Sequence, residues 1–215
     1  MPNCLFTQID WDPVQAVGFD MDGTLYDEFD FIRQVYPACL EHGAEFLIST
    51  KLEEAKKFIL TLWLEKGSSY PHIFGESFDC FGRRPEDRET FIGRALDCFR
   101  SFRPQLRLPA RSAFILNLCR ERWPIFLVTD GRPLLQTAKF EALGLADFFP
   151  KERRSFTGSL PQGSAKPSPV AYEALNLPYQ GREVVFFGDR KPDFDFALNL
   201  GFQFVKVAVM QPLPN

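Results

Sequence analysis

The chain has 215 residues, 45% of them apolar and 25% charged, with a formal net charge of −3. This suits one soluble domain, or one domain with a sizeable insertion, and gives no electrostatic case for nucleic acid or an anionic membrane. No apolar run approaches the ~18–20 residues that span a bilayer, and MPNCLFTQIDWDP lacks the basic-then-apolar form of a secretory leader.

The five cysteines (Cys4, Cys39, Cys80, Cys98, Cys119) are odd in number and scattered, with neither a C-x-x-C nor a histidine cluster. They read as reduced thiols of a cytoplasmic protein, not as a zinc site or a disulfide framework. His42 and His72 read as surface or packing residues. The 24 Phe predict a strongly aromatic core or an apolar lining.

In chain order, Val14–Phe19 is a short, nearly continuous apolar run that stops at Asp20, the signature of a strand buried on both faces. The next segment, residues 27–107, has helical periodicity and no strand pattern. A first helix runs through Phe29 to Leu47, with a kink or break expected at Pro37. Thr50 and Glu53 have the spacing of a capping box ahead of a stripe of Leu52, Ala55, Phe58, Ile59, Leu62 and Trp63, which ends at Gly67. GSSYPHIFGESFDCFG, Gly67–Gly82, reads as a loop-rich stretch. Pro85 is placed to open a further helix with Phe91, Ala95, Leu96 and Phe99 on one side.

Beyond this insertion, helical periods around Leu116, around Gln136 with Phe140 and Leu143, over Val170–Leu175 and over Phe194–Leu200 alternate with apolar runs. Those runs are Pro124–Val128 ending at Thr129, Glu183–Gly188 ending at Asp189, and Phe202–Val209 as a fourth candidate. The expected fold is therefore α/β: a doubly wound, mostly parallel Rossmann-like sheet formed by residues 1–26 and 108–215, with 27–107 inserted as an all-helical unit. Ligands of such sheets sit outside the carboxyl ends of the strands, where Asp20, Thr129 and Asp189 stand.

Asp20-Met-Asp22-Gly23-Thr24, Thr129-Asp130-Gly131, Lys166-Pro167 and Gly188-Asp189 with Asp193 occur in this order along the chain. Together they resemble the four motifs of the haloacid dehalogenase-like (HAD) hydrolase superfamily. Two features depart from the usual pattern: Asp130 stands where Asn is frequent, and Ala165 where Gly commonly precedes the lysine.

The resemblance implies that Asp20 is a nucleophile toward phosphorus and that Asp22 is the general acid–base for the leaving oxygen and then for water. Phosphate would be held by the Thr129 hydroxyl, the Asp130 and Gly131 amides ahead of a helix opened by Pro133, and Lys166, which itself stands just before a proline-opened helix. Mg2+ would be held by Asp20 and Asp189 through side chains and by Asp22 through its backbone carbonyl, with Asp193 in support. Gly23 allows a sharp turn and Thr24 is expected to secure it through its hydroxyl. Arg132 reads as a solvated loop arginine and Asp195 as a helix-face carboxylate.

The insertion lies between the first two motifs, as in the C1-capped branch similar to phosphoglycolate phosphatases and β-phosphoglucomutases. The resemblance then implies a phosphatase for a small phosphorylated metabolite. A phosphomutase, or a low-turnover phosphate-sensing or partner-binding protein, would keep the same motifs. Asp22 argues against dehalogenation, which does not use an acid two residues after the nucleophile.

Overall fold

The computed structural model describes residues 5–208. Ala16–Phe19 forms β1, with all four residues buried. It is flanked on one side by β2 (Ile125–Thr129) and on the other by β4 (Val184–Gly188), both parallel to it and both wholly buried. β3 (Arg154–Phe156) extends the sheet beyond β2, and β5 (Gln203–Lys206) extends it beyond β4, again in parallel. The order is therefore β3-β2-β1-β4-β5.

From β1 the chain steps outward through β2 to β3, then returns to the other side of β1 for β4 and β5. The direction reverses between β1 and β4, so the crevice outside their carboxyl ends is the switch point where open α/β sheets bind ligands. Asp20 follows β1 there, and Asp189 follows β4.

Register keeps this part of the sheet tight. Gly18 lies opposite Phe126 on one side and Phe186 on the other. A Cβ on Gly18 would come within 3.0 Å of both rings. Gly18→Ala should therefore overpack the core and cost about 1–3 kcal/mol. Thermal denaturation checks this, at roughly 2–4 °C of melting temperature per kcal/mol for a chain of this size; an unchanged melting temperature would contradict it.

On the face that holds Ala16, Phe126, Val128, Val184 and Phe186, the cover comes from Ala171, Tyr172, Phe196, Ala197 and Phe202. On the other, Phe19 stacks on Phe187 at 4.9 Å, with Phe149 and Phe6 packed edge-on against the pair. Such ring contacts account for part of the phenylalanine content, while Phe114 and Phe194 are exposed.

The chain divides into two compact units, Met1–Glu28 with Gln105–Asn215, and Phe29–Pro104, against the limits of 27 and 107 read from sequence. The helices are α1 (Glu28–His42), α2 (Leu52–Lys66), α3 (Ile73–Phe81) and α4 (Arg88–Ser101), followed by α5 (Ala110–Arg120), α6 (Pro133–Ala142), α7 (Val170–Glu173) and α8 (Lys191–Asn199). Among the described residues no helix is long and apolar enough to cross a membrane.

Several expectations are corrected. α1 continues through Pro37, because Val35, Tyr36, Cys39 and Leu40 are all buried around it and their packing outweighs the ~3 kcal/mol cost of an interior proline. Thr50 makes no capping box; it lies in a 3-10 turn, Ser49–Lys51, and Glu53 instead accepts a bond from Lys56 at 2.7 Å. Part of the stretch read as loop-rich is α3, which buries Ile73, Phe74 and Phe78. Pro85 opens a 3-10 turn that leads into α4. β3 had no counterpart in the sequence reading. Val209, the end of the expected last strand, and Cys4 lie outside the described residues. The other cysteines are free thiols, and both histidines are exposed.

Candidate active site

Asp20 continues the ladder: its amide donates to the Phe187 carbonyl at 2.9 Å, which fixes the carboxylate at the mouth of the β1–β4 crevice. The chain then turns back at once. Thr24 and Leu25 both donate to the Met21 carbonyl, at 3.3 and 3.0 Å, and Asp22 forms a bridge with Tyr26. Backbone bonds hold this turn, not the Thr24 hydroxyl, which has no hydrogen-bond partner. Gly23 sits at φ +76, where a Cβ would fall within 3.0 Å of the Asp189 carboxylate. The motif glycine thus lets the β1 turn approach the end of β4.

Lys166 is the hub. Its Nζ donates to Asp20 Oδ1 and Asp193 Oδ1, both at 2.5 Å, and to the Val128 carbonyl at 3.3 Å. Asp193 spends its other oxygen on the Arg190 amide at 3.0 Å, at the start of α8. The lysine is buried, which opposes its charge, but Asp20 and Asp193 outweigh that and raise its pKa. The segment that carries Lys166 is not itself helical, since α7 begins only at Val170. It is anchored by Asp130, whose carboxylate accepts the Lys166 amide at 3.1 Å. The unusual acid of the second motif therefore serves as a clip between two loops.

Asp20, Asp189 and Asp193 each offer a carboxylate oxygen within 4.8 Å of the others. Asp20 Oδ2 and Asp189 Oδ1 are buried and accept no hydrogen bond. Burial raises the pKa of Asp20 to about 8, with Lys166 pulling it back, and raises that of Asp189 to about 6, with Arg190 pulling it back. Desolvated carboxylate oxygens without donors are costly, and an all-oxygen set of this kind matches a hard divalent cation.

Asp22 faces elsewhere. Its Oδ1 accepts from the Tyr26 hydroxyl and from Lys139 Nζ at 2.7 Å, and its Oδ2 accepts from Gln136 Nε2 at 2.7 Å. Burial opposes its charge, but Lys139 and these hydrogen bonds prevail and hold it below the usual carboxylate range. Thr129, fully buried at the end of β2, accepts from the same Gln136 nitrogen at 2.7 Å. Gly131 and Arg132 are exposed just ahead of α6, which Pro133 opens. Asp195 pairs with Lys191 at 2.5 Å on the face of α8.

Asp20, Asp130, Lys166, Asp189 and Asp193 thus form one connected group, and Asp22 and Thr129 a second group joined by Gln136. Tyr26, Gln136 and Lys139 were missed. Tyr26 reads from sequence only as the exit toward the helical unit. Gln136 carried a signal, as a polar residue on the same stripe as the apolar Phe140 and Leu143.

A parallel sheet with these acids and this lysine at its switch point defines a class of enzyme. The chain belongs to the haloacid dehalogenase-like hydrolase family, whose sequence model matches residues 14–201. It is 26% identical over 201 residues to glyceraldehyde 3-phosphate phosphatase of Pyrococcus furiosus, a match covering 89% of this chain and 80% of that one. It is also 26% identical over 196 residues to 5-amino-6-(5-phospho-D-ribitylamino)uracil phosphatase of Escherichia coli, covering 82% and 75%. A HAD-superfamily hydrolase of subfamily IA, variant 1, from Geobacter sulfurreducens shares the fold, with a TM-score of 0.68 at 21% identity over 94% of this chain and 90% of that one.

Proposed function

We propose that this hydrolase is a Mg2+-dependent phosphatase of a small phosphorylated metabolite, working through an aspartyl-phosphate on Asp20. The observation that carries this reading is the state of Asp20: one oxygen is held by Lys166, while the other is buried and unclaimed beside Asp189. Such a carboxylate is oriented for attack and is not tied up by other donors.

In the first half-reaction Asp20 attacks phosphorus, the bond to the leaving oxygen breaks, and Asp22 delivers to that oxygen a proton it takes up from the bound phosphate monoanion, because Lys139 and its other donors hold it ionised before substrate binds. In the second, Asp22 takes a proton from water, which attacks phosphorus and frees Asp20. Lys166 neutralises phosphoryl charge and steadies Asp20 in both. The Thr129 hydroxyl, with the Asp130 and Gly131 amides ahead of α6, would donate to the phosphoryl oxygens. Asp20 and Asp189 would hold the cation through side chains and Asp22 through its backbone carbonyl, with Asp193 steadying the set. Once bound, a divalent cation supplies positive charge that offsets the acids and the developing phosphoryl charge. The two phosphatases named above are named for small phosphorylated substrates, which supports the substrate class. The helical unit Phe29–Pro104 is proposed as the cap of the C1 branch and the source of leaving-group selection.

Phosphate release from a panel of phosphorylated metabolites, with and without Mg2+, tests this. Hydrolysis of at least one member should fall to background with EDTA and return with added Mg2+. A rate indifferent to EDTA would remove the metal role of Asp189 and Asp193.

A further inference from the structure

Asp22 is held by an arrangement that neither the family pattern nor the proposed chemistry requires. Two of its donors come from α6: Gln136, and Lys139 one turn further on. Both are almost wholly buried, 2% and 4% exposed. The Gln136 amide nitrogen faces the Asp22 carboxylate and donates to its Oδ2. That nitrogen has two hydrogens, and its second 2.7 Å contact is to Thr129 Oγ1. With Oγ1 accepting from Gln136, the Thr129 hydroxyl hydrogen is directed away from that amide. Lys139 and the Tyr26 hydroxyl complete the hold on Asp22 from the other side.

Burying a lysine and a glutamine here is a poor route to stability, since apolar residues of similar volume often serve as well or better than a buried ion pair. What the arrangement supplies is orientation. Asp22 lies two residues from Asp20, close to a cluster of acids with unclaimed oxygens. A freely rotating Asp22 carboxylate would be an additional ligand for a cation bound there, and would then be lost as an acid–base.

We infer that Gln136 and Lys139 are positioning residues that hold the Asp22 carboxylate apart from the Asp20–Asp189–Asp193 cluster and fix it relative to the Thr129 hydroxyl. The inference rests on the proposed acid–base role of Asp22. It makes α6 the element that sets the phosphate-binding hydroxyl and the proton-transfer group together.

The test is a double-mutant cycle with a structural readout. Lys139→Met should lower kcat for an aryl phosphate by up to about 10²-fold, with little change in KM. In an Asp22→Asn background the same substitution should change kcat by no more than about twofold, because the group through which it acts is already gone. A crystal structure of Lys139→Met should show the Asp22 carboxylate rotated from its wild-type orientation, because Gln136 and Tyr26 alone then hold it. If Lys139→Met does not fold, Gln136→Met, which removes both amide donors and leaves no added charge, carries the same cycle. Equal losses in the two backgrounds, or an Asp22 that stays in place in the variant, would overturn the inference. A wild-type protein that hydrolyses nothing, while Asp22 still turns in the variant, would sink the phosphatase reading and leave the positioning role standing.

Discussion

Replacing Asp20 with asparagine is expected to lower magnesium-dependent hydrolysis of an aryl phosphate by on the order of 10⁴-fold or more, with the protein still folded. An amide oxygen is a poor nucleophile, so no covalent phosphoenzyme can form. The amide can still accept the bond that Lys166 Nζ makes to Asp20 Oδ1 at 2.5 Å. It also removes a buried carboxylate whose second oxygen has no donor. Lys166 keeps Asp193 as a carboxylate partner at 2.5 Å, so the melting temperature should change little while activity disappears. Steady-state rates beside a thermal melt measure both, and substantial turnover by a folded Asp20→Asn protein would rule out the nucleophile assignment.

The second large effect is expected at Asp22. Asp22→Asn should slow turnover by about 10²–10⁴-fold, the usual contribution of a positioned general acid–base. A good leaving group, such as an aryl oxide, needs little protonation, so the first half-reaction should suffer less than the second. Phosphoenzyme should then accumulate in the variant, and acid-quenched intact mass spectrometry would detect it. The substitution also puts an amide nitrogen among three donors, Tyr26, Gln136 and Lys139, and takes the Asp22 carboxylate from Lys139. Removing one partner of a buried ion pair commonly costs about 3–5 kcal/mol, so stability should drop as well. Accumulated phosphoenzyme separates the two effects, because a merely unfolded protein would carry none. A variant as fast as the wild type would contradict the role.

What the sequence made legible was whatever depends on strand ends. Buried strands are short, apolar and abruptly terminated, so Asp20, Thr129 and Asp189 could be placed at one sheet edge without coordinates. Lys166 could be placed only through the motif resemblance, because its segment is not helical and no periodicity marks it. β3 escaped because Arg154, Ser155 and Phe156 are too few and too polar to give a strand pattern, while parallel pairing with β2 decides their conformation. α3 escaped because its segment begins in turn-forming residues and contains Gly75. Only burial of Ile73, Phe74 and Phe78 makes it a helix. At Pro37 local propensity was overruled by packing on both sides of the proline. The donors to Asp22 were hidden for another reason. Gln136 and Lys139 share a helix whose period was plain, but which of its polar residues turn inward depends on the neighbouring β1 turn. Asp130 illustrates the same limit, since its acceptor role toward the Lys166 amide links residues far apart in sequence.

Covalent capture on the wild-type chain tests the central claim most directly. The protein is mixed with Mg2+ and an aryl phosphate, quenched in acid within the turnover time, treated with borohydride to reduce any acyl phosphate to the alcohol, and mapped by peptide mass spectrometry. Reduction of the side chain at position 20, dependent on substrate and absent in Asp20→Asn, is the predicted result. Steady hydrolysis with no modification at Asp20, or with the modification on another carboxylate, would contradict the account.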